Sequence, residues 1–414
     1  MNRYSPLDVD GPTPLDMIRA VPGIRRDPLA FLERCVARHG ELVTFPMPRT
    51  PVLLVNHPDG ARRVLQDNHA GYTKATIQYS SLSLVTGTGL LTADGAEWRR
   101  RRRIVQPAFR HTALPGVAAA AQQAAERLRE RWAGAPGLVL DAEAAILRAM
   151  LDVVGSTLFE ADLSAIGGQV VGAVDTALRS VIARSSSPLP ARLDWRTARR
   201  LRRANATLDG ACAQIVARRR ARGIDNGEDV LALLLRAADS GELDPAAVRD
   251  ELVTLVIAGH ETVASALTWT LHLLAAHPGA QDQVAAELDT VLGAGPGARP
   301  PGWNDLAALP YTRAVLDEAL RLYPPAWVIT RRAAADDALA GVDVPAGTLI
   351  ILSPWLLHRR AASWPDPSAF DPARFLDAGG RAPGSRPSGD YLPFGAGPRL
   401  CIGRDLALVE GVLV

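Results

Sequence analysis

The stretch that most constrains this chain is FGAGPRLCIG, residues 394 to 403. Three glycines and a proline in ten residues are costly in chain entropy unless the backbone must take turns that other residues resist. Residues 405–412 then show helical spacing, so Cys401 lies just ahead of a helix. Backbone N–H groups and the positive end of the helix dipole both favour thiolate over thiol there. Glycines also let a flat ligand approach the backbone. The loop reads either as a thiolate held against something planar or as a glycine turn that buries a small thiol.

The 414 residues suffice for one large domain or two to three ordinary ones. A chain that is 48% hydrophobic and 22% charged is of ordinary globular composition. The net charge of +2 argues neither for nor against a nucleic-acid partner. Lys74 is the only lysine, so nearly all positive charge is guanidinium, suited to carboxylates. Cys35, Cys212 and Cys401 lie far apart, which suggests reduced thiols in a cytosol. The N-terminus is polar and proline-broken, unlike a signal peptide. No stretch approaches eighteen apolar residues, so no membrane span is expected.

Residues 28–40 read as a helix ending at a glycine, followed by two short strands, ELVTF and PVLLVN. Apolar spacing of three to four predicts helices over 59–67, 96–103, 115–133, 141–160, 164–184 and 197–222. Residues 185–196, 223–229 and 377–393 read as loops. A long helix over 245–276 opens at Asp244-Pro245 and ends at His277-Pro278-Gly279. Helices over 279–293 and 310–323 follow, then short β-like runs within 326–376. The pattern is mainly α with a minor β region, as one domain. Within the long helix, His260-Glu261 resembles the start of a zinc-protease H-E-x-x-H motif. Alanine at 264 removes the second ligand.

The cysteine loop carries a resemblance to a known family. F-G-x-G-x-R-x-C-x-G is the haem-binding signature of the cytochromes P450, and Phe394, Arg399, Cys401 and Gly403 occupy its fixed positions. The resemblance implies haem b with Cys401 as axial thiolate and Arg399 on a propionate. It implies the cytochrome P450 fold, with haem between a long distal helix and a proximal cysteine-loop helix. Its β-containing part would fall at about 40–60 and 326–352, its helical part at 60–325 and its haem-thiolate loop at 390–403. The family continues further past the cysteine helix, so the resemblance implies a domain cut short within 1–414.

Other motifs agree. Glu318 and Arg321, at i and i+3 before Tyr323-Pro-Pro, resemble the family's E-x-x-R helix, with Arg374 as the implied third partner. Trp98 and Arg102, at i and i+4, share a helix face and resemble the family's propionate pair. Arg331, or its neighbour Arg332, resembles a further propionate arginine, as does His358 a propionate-bonding position. The run Arg99–Arg103 lacks the aromatic company of a nucleic-acid patch. By resemblance it suits steering of a ferredoxin or flavodoxin-type electron donor.

Ala258-Gly259-His260-Glu261-Thr262 matches the family's A/G-G-x-D/E-T motif. The resemblance implies that Ala258 and Gly259 make room for haem and O2. Thr262 and Glu261 would deliver protons, while His260 faces away. The implied activity is a cytoplasmic monooxygenase that hydroxylates a C–H bond of a hydrophobic substrate, such as a terpenoid, fatty acyl or macrolide-like molecule. Residues 72–92, 185–196, Val253–Ala258 and Ala326–Thr330 would line its pocket. The alternatives are a haem-thiolate protein without oxygenase activity and an inactive, haem-poor binding module.

Overall fold

The computed structural model describes residues 7–47, 50–133, 137, 139–163, 166–185, 194–224, 227–377 and 389–414. Along the chain, α1 (Pro14–Arg26) and α2 (Pro28–His39) precede β1 (Leu42–Phe45), β2 (Val52–Val55), α3 (Pro58–Arg62) and β3 (Tyr72–Thr73). A helical stretch follows: α4 (Ile77–Thr86), α5 (Gly95–Val105), α6 (Leu114–Ala133), α7 (Ala142–Leu158) and α8 (Gly167–Ser185). It continues with α9 (Trp195–Arg222), α10 (Val230–Asp239), α11 (Pro245–Ala276), α12 (Pro278–Leu292) and α13 (Pro310–Leu322). Next come β4 (Ile329–Ala333), β5 (Asp337–Leu339), β6 (Val342–Val344), β7 (Leu349–Leu352), α14 (Pro354–Leu357) and α15 (Arg404–Leu413).

The chain divides into two units. The first comprises Met1–Tyr79, Glu318–Asp371 and Pro383–Cys401; the second comprises Ser80–Asp317, Pro372–Ala382 and Ile402–Val414.

The first unit is built on a five-stranded sheet ordered β1-β2-β7-β4-β3. β2 runs antiparallel to β1 and parallel to β7, and β4 is antiparallel to β7 and β3. All four residues of β2 are buried, as its unbroken VLLV run demands of a strand covered on both faces. Strand alternation sends Leu53 and Val55 into one apolar cluster with Ile350 and Leu352. Val52 and Leu54 join Val43, Phe45 and Leu356 in another.

The second unit is helical. α11 packs along α7, α15 against α6 and α11, and α8 against α9. Asp244 caps α11 by accepting the Ala246 N–H, with Pro245 in the first turn. Contrary to the sequence expectation, α11 is long and apolar enough to cross a membrane by length and composition, but 61% of its most apolar window is buried inside the protein. It is hydrophobic nearly all round because it is a core helix.

α1, α4 and α10 were not legible in the sequence. The prolines of α1 hide its helical spacing, the serines of α4 blur the apolar stripe, and the run VLALLLRAAD of α10 is too short to show a period.

Candidate active site

In the first unit, the turn that presents Cys401 is set by two glycines in the left-handed region, Gly395 at φ +72° and Gly397 at φ +68°. A Cβ on Gly397 would stand 2.1 Å from the carbonyl oxygen of Leu65, so nothing larger than glycine can seat the loop there. The Cys401 N–H donates to the Phe394 carbonyl at 3.0 Å, closing the loop on itself. Cys401 is exposed. Burial pushes the Cys35 and Cys212 thiols up to about 11 and about 12, so both stay protonated. Of the three sulfurs, only that of Cys401 stands on an accessible, glycine-cradled turn, and this arrangement fits a metal-ligating thiolate.

Glu318 and Arg321 are fully buried and paired through two hydrogen bonds of 2.6 and 2.7 Å. Arg321 also donates to the carbonyls of His358, Pro367 and Ala369. Glu318 accepts the Asp371 N–H. Such a pair repays its desolvation only when the remaining donors and acceptors are satisfied, and here backbone groups do so. Arg374 lies in the short turn Pro372–Phe375 of the second unit.

His358 departs from the expected role. Its Nδ1–H donates to the Arg321 carbonyl at 3.1 Å, and its Nε2 accepts the Leu392 N–H at 2.7 Å. Both ring nitrogens are thus committed to backbone, leaving none for a propionate. The imidazole ties the end of α13 to the segment that leads into the cysteine loop. Complete burial pushes its pKa down to about 3, so it is neutral.

Arg331 and Arg332 follow each other on β4 and point to opposite faces. Arg331 is buried and donates to the Tyr79 hydroxyl and its own neighbour's carbonyl, both at 2.8 Å. Arg332 is tied to the carbonyls of Ala75 and Gly347.

In the second unit, Trp98 and Arg102 lie half-buried one turn apart on α5. Two further arginines of the run are held by carboxylates. Arg101 is buried, bonded to Glu97 at 2.5 Å and to the fully buried Glu251 at 2.9 Å. Arg100 pairs with Glu97 and the Glu242 carbonyl. Only Arg99 and Arg103 of the run are exposed.

α11 is unbroken through Ala258–Thr262. Thr262 is exposed and its hydroxyl donates to the Ala258 carbonyl at 2.7 Å, leaving oxygen lone pairs to accept a further proton donor. Gly259 does not serve as spare room. A Cβ there would meet Val154 Cγ2 at 2.8 Å, so its smallness lets α11 close on α7. His260 is buried, its Nδ1–H donating to the Val256 carbonyl. Burial, with the charges of Asp175 and Glu143, raises the Glu261 carboxyl above its ordinary value. A carboxyl so raised can hold and release a proton nearer neutrality.

Comparison with known proteins decides the family. The Cytochrome P450 family model matches residues 9–414. The chain belongs to the cytochrome P450 family. It is 38% identical to cyclooctat-9-en-7-ol 5-monooxygenase of Streptomyces melanosporofaciens, over 94% of this chain and 83% of that protein. It is 34% identical to pentalenene oxygenase of Streptomyces avermitilis, over 94% of this chain and 85% of that one. The crystal structure of CYP175A1 from Thermus thermophilus superposes with a TM-score of 0.76 at 33% identity, covering 96% of this chain and 88% of that one. The chain is a cytochrome P450 monooxygenase, and its family binds haem b through a cysteine thiolate.

Sequence reasoning missed the strap between α11 and the end of α4 with the residues that follow it. Arg249 donates to the Val85 carbonyl at 2.8 Å, and Asp250 and Glu251 accept the N–H groups of Thr88 and Leu90. Asn205 of α9 holds the Leu84 carbonyl. The expected substrate loop 72–92 is therefore partly helix and partly strapped backbone. Of the other expected loop, 186–193 lies outside the described residues. Charged residues at 249–251 gave no hint of partners more than 150 positions away.

Proposed function

We propose that this cytochrome P450 hydroxylates a cyclic terpenoid in the cytoplasm, with electrons from a separate ferredoxin or flavodoxin-type protein. The observation that carries the substrate class is the identity, over nearly the whole chain, to enzymes named for cyclooctat-9-en-7-ol and pentalenene.

When bound, the haem supplies the activation of O2. The chain's residues supply the rest. Cys401 is the proposed iron ligand, supported by its accessibility and its glycine turn. Arg399, Arg331, Trp98 and Arg102 are the proposed propionate partners. Glu261, with its raised carboxyl, and Thr262 are the proposed proton relay. Glu318, Arg321 and Arg374 hold the loop's support. Arg99 and Arg103 offer the exposed charge that steers an acidic donor.

The reading is tested by incubating the haem-loaded protein with labelled O2, a ferredoxin and its reductase, and a panel of cyclic terpenes. One labelled oxygen atom in an alcohol product is expected. Turnover of fatty acids with no terpene bound or oxidised would overturn the substrate class. A reduced, CO-bound spectrum without the long-wavelength thiolate band would overturn Cys401 as ligand.

A further inference from the structure

α5, with arginine at every position from Arg99 to Arg103, has little apolar surface to hold it in place. Its buried residues are Arg101, Ile104 and Val105, and the two aliphatic ones close its last turn. Ahead of them, Arg101 is the one residue of the helix that is buried. Trp98 is half-buried and packs at the edge of the apolar cluster of that unit.

The partner that receives Arg101 stands on α11. Glu251 is fully buried, and its two oxygens take different donors. One accepts from Arg101 at 2.9 Å and the other from the Leu90 N–H at 3.1 Å. Leu90 lies in the segment that runs into Asp94, the N-cap of α5. A single carboxylate thus holds the helix in its second turn and the chain just ahead of it. The adjoining residues of α11 reinforce this hold. Asp250 accepts the Thr88 N–H at 2.8 Å, and a Cβ on Gly89 would stand 1.9 Å from the Thr254 hydroxyl oxygen, so the segment lies directly against α11.

At about 100° per residue, Trp98 and Arg102 lie about 60° and 100° around α5 from Arg101, on the same side. Anchoring Arg101 to another helix therefore sets the rotation of α5 about its axis, and with it the direction of those two side chains. Glu97 also bonds Arg101, but a partner on the same helix cannot resist that rotation.

We propose that Glu251 is a positioning residue for the cofactor: acting through Arg101, it sets the rotation of α5 so that Trp98 and Arg102 are presented to the haem propionates. The proposal rests on the reading of Trp98 and Arg102 as propionate partners.

The test uses the full-length, haem-loaded protein, the propionate bending bands in its resonance Raman spectrum, and the rate of haem transfer to excess apomyoglobin. Arg102→Met is the reference for losing a propionate partner. Glu251→Gln keeps an acceptor for the Leu90 N–H but removes the buried carboxylate from Arg101. It is expected to shift the propionate bands as Arg102→Met does and to speed haem transfer roughly tenfold, as when a group that orients a ligand is lost. The double variant Arg101→Met, Glu251→Gln leaves neither charge of the pair buried alone, is expected to fold, and should show the same shift and rate. Arg219→Met breaks a buried ion pair with Asp229 elsewhere in the unit. It should lower the unfolding midpoint yet leave the bands and the transfer rate as in the wild type. Wild-type bands in the double variant, with Arg102→Met shifted, would overturn the positioning role and leave the propionate reading standing. Unshifted bands in Arg102→Met would overturn that reading and the proposal with it. A shift of the same size in Arg219→Met would make the effect one of stability alone and would also overturn the proposal.

Discussion

The residues proposed to support the cysteine loop and those proposed to relay protons on α11 are built in opposite ways. In the first, Glu318, Arg321 and His358 are buried and committed: Glu318 to Arg321 and the Asp371 N–H, and His358 to Arg321 and Leu392. In the second, Thr262 is exposed and keeps lone pairs, and Glu261 is half-buried with a carboxyl that resists ionisation. A ligand must be held still, and full satisfaction of buried groups does that. A proton must be passed on, and only a group with unused capacity can pass it.

Four experiments set these regions against each other. Arg321→Ala should have the largest effect. It leaves Glu318 buried without its partner, at a cost of about 3–5 kcal/mol, read as a lower unfolding midpoint and loss of haem on gel filtration. Stability unchanged by this variant would break the contrast.

The pH response comes next. The folded pKa of His358 is depressed, to about 3, against an ordinary value near 6.5. Its contribution is therefore present above pH 6.5 and lost as pH falls toward 3, at up to about 1.4 kcal/mol per pH unit. In the second unit, Glu410 of α15 is buried and burial pushes its carboxyl up to about 8. Its contribution is present below its ordinary 4.5 and is lost as pH rises through 8. Urea melts across this range should show His358→Gln flattening the acid limb and Glu410→Gln the alkaline limb.

Gly397→Ala should cost more than about 1 kcal/mol, because the new methyl meets the Leu65 backbone and the residue keeps a positive φ. The checks are thermal unfolding and the fraction of protein that retains haem.

Thr262→Ala should have the smallest effect on stability, within about 0.5 kcal/mol for an exposed hydroxyl. Coupling of electron use to product should nevertheless fall several-fold, measured as peroxide released per reductant consumed. A large loss of stability with intact coupling would make Thr262 structural and remove the contrast from the other side.

How much was legible follows the range of each interaction. The turn at Gly395–Cys401, the Glu318–Arg321 pair and the capped start of α11 were readable because their partners lie within one or two turns of the chain. Local spacing encodes such contacts directly. His358 was misread because its two partners, at Arg321 and Leu392, lie 37 and 34 positions away. Arg101 looked like a surface charge because Glu251 stands 150 positions along. Gly259 looked like room for a ligand because nothing in its neighbourhood announces Val154.

The sequence by itself thus determined the family motifs and the local geometry around them: the thiol on its glycine turn, the acid and alcohol side by side on the long helix, and the i, i+3 ion pair. The tertiary structure decided which of the other polar residues are structural and which stay exposed. That decision rests on burial, since a guanidinium or imidazole removed from water must find a partner wherever the fold brings one. Packing, not spacing, chose those partners.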